Sequence, residues 1–265
     1  MITFLINILL VFIIAINYYI FLLISSIFGL KSLSLMYKLI NFNIYFMSSL
    51  SIFSNIKVNK IDMKNKNFLI NCNHIDSVDD ILVLVILNKL ISNFDYKNIK
   101  SVSSLSSKFE EEVFNMMDSI VVNQETSIKE LDNRIDNLTI KYKNISLILF
   151  LEGIINSNYN NFMEKKTDIK LKNVSFPKTP LFNLICQKNY FDYLIDINVI
   201  YHNKGNIIKG GNYFMDYLDR NVKTEIDIKI YNMPKENYED WLLKLYQNKD
   251  LCLEKIKKDI INNNK

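Results

Sequence analysis

The chain contains two histidines, and one of them, His74, stands in a segment whose residue types can do proton chemistry: Asn73-His74-Ile75-Asp76-Ser77-Val78-Asp79. Histidine is the side chain most readily used as a base near neutral pH. An imidazole that takes a proton needs a carboxylate at its other nitrogen, to fix the tautomer and stabilise the cation. Asp79 supplies that carboxylate if a tight turn brings it to His74. The same residues also read as a turn histidine beside an aspartate that caps a helix, because His-x4-Asp is a common spacing. A second candidate pair is Glu152-Gly153, which follows the apolar run ending in Phe150-Leu151. A carboxylate at the mouth of a sheet positions a polar substrate, and the glycine lets backbone come close. Standing alone, this pair also reads as a plain turn acid.

Little else competes for chemistry. His202 follows an apolar run at Tyr201 and reads as a strand-end histidine. Cys72, Cys186 and Cys252 are far apart, odd in number and without C-x-x-C spacing, which argues for buried reduced thiols over a zinc site or a disulfide framework. Glu110-Glu111-Glu112 reads as a solvated helix turn, since nothing nearby completes a ligand set. No bound metal or cofactor is expected. The net charge of +4 sets 32 basic residues among 28 acidic ones, too even a balance for nucleic acid and better suited to an anionic membrane surface. With 49% hydrophobic residues, 5 glycines and 3 prolines, the composition excludes disorder over most of the length and a loop-dominated architecture.

The elements that must position these residues read as α/β. Asn67–Cys72 is a short apolar run and a predicted buried strand, leading straight into the histidine segment. Asp79-Asp80 then open a buried helix over Ile81–Leu90, where two acids suit the N-terminus. Ile120–Val122, Ser146–Leu151 and Leu194–Tyr201 read as further strands. Ile128, Leu131, Ile135, Leu138, Tyr142 and Ile145 fall at helical spacing. From Val222 to Ile230 apolar residues alternate with Lys223, Glu225, Asp227 and Lys229, the pattern of a strand with one wet face. Trp241, Leu242, Leu245 and Tyr246 share one face of a C-terminal helix, and the tail from Asn262 reads as frayed. Ahead of all this, Ile2–Ile24 is almost wholly apolar. About 20 such residues cross a bilayer as a helix, so a retained anchor is expected. A cleaved signal peptide would need a basic start and a small-residue cleavage site. Leu39–Ile56 is uncharged but less apolar, and reads as a second membrane helix or one lying in the headgroups. The expected organisation is an anchor over 1–56 and an α/β domain over 57–260, a mostly buried mixed sheet flanked by helices.

The two chemical segments together resemble the glycerolipid acyltransferase family, whose motifs are N-H-x4-D and, further on, F-P-E-G-T-R. Three later segments extend the resemblance to the eukaryotic membrane branch with the lysophosphatidic acid and lysocardiolipin acyltransferases. These are Phe176-Pro177-Lys178-Thr179-Pro180-Leu181-Phe182, Asp196-Ile197-Asn198-Val199, and Trp241-Leu242-Leu243-Lys244-Leu245-Tyr246-Gln247-Asn248-Lys249-Asp250. The similarity covers residues 60–255, in order. It implies an O-acyltransferase of phospholipid synthesis or remodelling, with acyl-CoA as co-substrate, a lysophospholipid as acceptor, and membrane lipids as surroundings. In that reading His74 is the general base and Asp79 orients it. Asn73, Glu152 and Gly153 help hold the acceptor, and Lys178 sits near its phosphate or the CoA. The implied location is the endoplasmic reticulum membrane; the sequence gives no oligomeric state.

The chain departs from the family at two arginines associated with the acceptor phosphate. E-G-T-R reads Glu152-Gly153-Ile154-Ile155 here, and Asn123 follows the strand at Ile120–Val122. A guanidinium grips phosphate through two parallel hydrogen bonds, and neither Asn nor Ile does so. Lys108, Arg134, Lys165 and Lys166 are the candidates to compensate. Asp80 and Glu152-Gly153-x-x-Asn156 are also similar to a cardiolipin-remodelling transacylase branch that needs no acyl-CoA. A catalytically degraded, lipid-binding scaffold is the non-enzyme alternative.

Overall fold

A computed structural model describes residues 33–48, 56, 58, 60–62, 66–73, 78–92, 94–103, 118–122, 126–142, 144–152, 157–208 and 222–264, with a few positions before residue 28. Its elements are α1 (Leu33–Met47), β1 (Phe68–Cys72), α2 (Val78–Leu90), β2 (Ile99–Ser103), β3 (Ile120–Val121), α3 (Ile128–Lys141) and β4 (Ser146–Ile148). These are followed by α4 (Ser157–Thr167), α5 (Thr179–Lys188), β5 (Tyr193–Asn203), β6 (Asn206–Ile207), β7 (Val222–Asn232) and α6 (Tyr238–Asn263). The sheet runs β3-β2-β4-β1-β5-β6, with β7 also on β5. β1 is parallel to β4 and β5, β2 is parallel to β3 and β4, and β6 and β7 run antiparallel to β5.

Alternation along β1 splits the core between the two faces of this sheet. Phe68, Ile70 and Cys72 pack under α2 with Leu82, Val83, Val85 and Ile86. Leu69, with Leu147 and Leu194 of its neighbours, faces α3, α5 and α6 through Ile135, Phe182, Ile185, Leu242 and Tyr246. Local signals set the helix ends. Ser127 caps α3 by accepting the Glu130 N–H, and Asn189 ends α5 in the left-handed region at φ 54°.

Several expectations need correction. Among the described residues no helix is long and apolar enough to cross a membrane, so the expected N-terminal membrane helices do not stand. α1, which takes in the first part of the uncharged stretch Leu39–Ile56, has 15 residues, short of the about 20 that a crossing takes. It buries Ile44 in the core beside α2. Asn41 accepts the Tyr96 N–H at 3.0 Å, and Tyr37 accepts from Lys100 at 3.1 Å. An apolar, uncharged run has the same composition whether it faces lipid or protein, and here at least part of it belongs to the α/β body. Most of Ile2–Ile24 lies outside the described residues, as do Glu110-Glu111-Glu112. β2, β6, α4 and α5 were not foreseen, and α6 continues to Asn263 where fraying was expected. The wet face expected of β7 is only partly so, because Asp227 accepts from Asn198 at 3.1 Å and Cys252 at 3.2 Å beneath α6.

α6 is fastened to the sheet by a buried ion pair. Lys249 Nζ lies 2.7 Å from Asp196 Oδ1, with the side chains 0% and 2% exposed, and it also donates to the Ile197 carbonyl at 2.8 Å. Asn71 donates to Asp196 at 2.7 Å, and Tyr246 donates to Asn71 at 3.2 Å. Removing one partner of such a pair strands the other charge. Lys249→Ala is expected to cost about 3–5 kcal/mol of unfolding free energy, read by urea titration, and Lys249→Met with Asp196→Leu to recover most of it.

Lys100 is a second buried cation, its ammonium 4.4 Å above the Tyr142 ring. Burial pulls its pKa down from 10.5 to about 8. Between those values the unfolded chain binds more protons at this position than the folded one, so Lys100 makes stability rise with pH through that window. The stability gap by which Lys100→Met exceeds the parent should therefore narrow from pH 8 to 10, as denaturant midpoints at each pH would show.

Candidate active site

Parallel strands β1 and β4 lie side by side, and the two candidate segments leave from their carboxyl ends, the edge where α/β sheets expose reactive groups. Asn73 is the first residue beyond β1. Its side-chain amide donates to the Val199 carbonyl at 3.0 Å and its Oδ1 accepts the Val199 N–H at 2.8 Å. A side chain bonded this way to a neighbouring strand pins the residue from which the histidine segment departs. His74 itself, with Ile75-Asp76-Ser77, lies outside the described residues. The chain is placed again at Val78, so Asp79 sits in the first turn of α2, where an anion is favoured.

Asp79 is fully buried. Tyr201 of β5 donates its hydroxyl to Asp79 Oδ1 at 2.7 Å. Tyr201 belongs to the face of β5 that packs under α2, and this bond holds the carboxylate against the sheet. Sequence reading missed this role: the only signal is a tyrosine two residues after Val199 on an otherwise apolar strand face. Cys72 lies beside Asp79, and burial, followed by the repulsion of that carboxylate, pushes its thiol well above the ordinary range. Burial likewise pushes Cys186 up to about 12. Both are free and buried, and as protonated thiols they are poor nucleophiles.

Glu152 follows β4 and is buried, with Oε2 accepting the Ser175 N–H at 3.0 Å. The Lys178 N–H donates to the Leu151 carbonyl at 2.8 Å, so the Phe176–Phe182 segment runs beside the Phe150–Glu152 segment. Asn73 and Glu152 line the same cleft, about 700 Å³ in volume, whose other walls come from β5, α6 and residues 171–175. Lys178 is exposed at the N-cap of α5 and does not line it. Gly153, Asn123, Ile155 and Lys108 lie outside the described residues. Arg134 is engaged elsewhere, donating to the Val121 carbonyl at 2.9 Å and to Glu130 at 2.6 Å, and Lys165 and Lys166 do not line the cleft. The lysines that do are Lys172, Lys257 and Lys258.

The three later segments also meet. Phe182 stacks on Trp241 with ring centroids 5.8 Å apart, and Asp196 pairs with Lys249. Asp250 accepts the backbone N–H groups of Lys172 and Asn173 at 2.8 and 2.5 Å, shaping one rim of the cleft. His202 is buried. Its Nε2 is 3.4 Å from Glu225, and its Nδ1 has no hydrogen-bond partner among the described residues. Among the described residues no group of three or more His, Cys, Asp or Glu could hold a metal ion.

Compared with known protein families and with curated proteins, the chain matches none of them.

A hydrogen bond to a carboxylate contributes about 1.5–3 kcal/mol. Tyr201→Phe is therefore expected to lower stability by about that amount, measured by denaturant titration, with the far-ultraviolet circular dichroism of the folded state unchanged.

Proposed function

We propose that the chain is an acyl-CoA-dependent O-acyltransferase that esterifies the free hydroxyl of a lysophospholipid such as 1-acyl-sn-glycerol 3-phosphate. The observation that carries this reading is the shared cleft. Asn73 and Glu152, far apart in sequence, line it together at the carboxyl ends of adjacent parallel strands, while Asp79 is held from behind by Tyr201. The meeting of Phe182 with Trp241 and of Asp196 with Lys249 is further support, since these pairs come from three separate segments of the resemblance.

In the proposed reaction His74 removes the proton from the acceptor hydroxyl as its oxygen attacks the thioester carbonyl. Asp79 fixes the imidazole tautomer and stabilises the cation. The tetrahedral intermediate collapses with cleavage of the carbon–sulfur bond, and CoA leaves as the thiol after taking up the proton from His74. The ester is the other product. Glu152 and Gly153 hold the polar end of the acceptor. Base catalysis of this kind contributes about 10²–10⁴-fold.

The test is acylation of a lysophospholipid panel by labelled oleoyl-CoA, with the parent and with His74→Ala. The parent should acylate at least one acceptor, and His74→Ala should lose about 10²–10⁴-fold in kcat with its unfolding midpoint retained. Turnover only with a diacyl phospholipid donor would replace the CoA-dependent reading with transacylation. A folded parent inactive with both donors would sink the enzyme reading.

A further inference from the structure

One face of α6 forms a wall of the cleft. Leu253, Glu254, Lys257, Lys258 and Ile261 recur there at helical spacing, with Lys172 on the facing rim. The polar groups are tied together. Lys257 donates to Asn173 Oδ1 at 2.7 Å, Lys258 lies 3.4 Å from Glu254 Oε1, and Asn173 donates to Glu254 Oε2 at 3.4 Å. Three lysines and one glutamate thus line this rim, with Lys258 ion-paired to Glu254. Counting Glu152, the lining among the described residues has three lysines against two carboxylates. Glu152 is already bonded to the Ser175 N–H. The cationic excess therefore sits on the α6 side, away from Glu152 in sequence and in element. Between these polar ends the walls are apolar: Val174, Ile200, Ile207, Leu253 and Ile261.

We infer that Lys172, Lys257 and Lys258 bind the phosphate ester of an amphiphilic substrate whose apolar part lies along Val174, Ile207 and Ile261. This rests on the acyl-transfer reading of the same cleft. A lysine ammonium binds phosphate as a compact point charge, and the volume of about 700 Å³ suits a ligand of a few tens of atoms. The phosphate belongs either to the lysophospholipid acceptor or to CoA; both present the same chemistry to the three lysines.

Binding, measured apart from turnover, tests this. Equilibrium dialysis of the full chain is run with labelled lysophosphatidic acid, labelled CoA and, as a phosphate-free amphiphile, labelled monooleoylglycerol. The parent is compared with the triple variant Lys172→Gln, Lys257→Gln, Lys258→Gln. A control carries Lys129→Gln and Lys235→Gln, both exposed and outside the cleft. The triple variant should weaken one phosphate ligand by about tenfold or more, the size of one lost charge-assisted hydrogen bond, and leave monooleoylglycerol and the control unchanged. Weakening of lysophosphatidic acid alone assigns the acceptor phosphate, and weakening of CoA alone assigns the donor. Unchanged affinity for both overturns the inference. So does an equal loss for monooleoylglycerol, which would report shape rather than charge, and so does a parent that binds neither phosphate ligand. Turnover with unaltered binding in the triple variant sinks the lysine site alone. Charge-dependent phosphate binding without turnover sinks acyl transfer alone.

Discussion

The ion pair between Lys249 and Asp196 joins the C-terminal helix to the centre of the sheet, and the rest of the cleft is built out from it. Taking two charges out of water costs several kcal/mol per ion, and their attraction repays this only when geometry and extra hydrogen bonds are right. Here the Ile197 carbonyl, Asn71 and Tyr246 complete the set, so β1, β5 and α6 can meet in one register. A shift of α6 by one residue would rotate Lys249 away by about 100° and strand the buried Asp196 carboxylate. Once that register is set, the following residues have fixed tasks. Asp250 gathers the 172–173 turn, Cys252 reaches Asp227, and Leu253 turns towards Ile200. At the far end of α6 the two-residue turn between β5 and β6 closes against the helix. A Cβ on Gly205 would stand 2.7 Å from that of Asn264, and Gly205 has φ +87°, so glycine is required there on both counts.

Strand order explains why the cleft opens where it does. From β1 the chain passes over β4 to reach β2, while from β4 it passes over β1 to reach β5. The two connections cover opposite faces of the sheet, α2 on one and α5 on the other. Diverging connections leave a crevice at the strand ends, the usual place for ligands in such sheets. Asn73 and Glu152 stand at its two sides because each is within a few residues of its strand's end.

The proposed chemistry divides its demands between these two supports. Proton transfer needs a base held in one tautomer, and the α2 side of the sheet supplies a buried aspartate fixed by Tyr201. Recognition of a charged amphiphile needs cations beside an apolar wall, and the α6 side supplies lysines next to Leu253. In the proposed reading a different element answers the resembled family's arginines, whose places Asn123 and Ile155 take here, and it presents ammonium groups as point charges instead of guanidinium forks.

The α/β class and most strands were legible in the sequence alone, because period and short-range spacing carry that information. The apolar runs at Phe68–Cys72 and Leu194–Tyr201 have no other stable place than a buried sheet, and Asn73 to Asp79 is close enough in sequence to be read as one unit. Local pattern could not settle where an apolar helix goes: Leu33–Met47 has much the same composition on a membrane or on α2, and the contact that buries Ile44 decides between them. Nor could it pair residues distant in sequence. Tyr201 with Asp79, Lys249 with Asp196, and Asn173 with Lys257 are made neighbours by strand order and helix register. Those are properties of the assembled fold: a one-residue slip of β5 alone would turn Tyr201 and Asp196 to the opposite faces of the sheet.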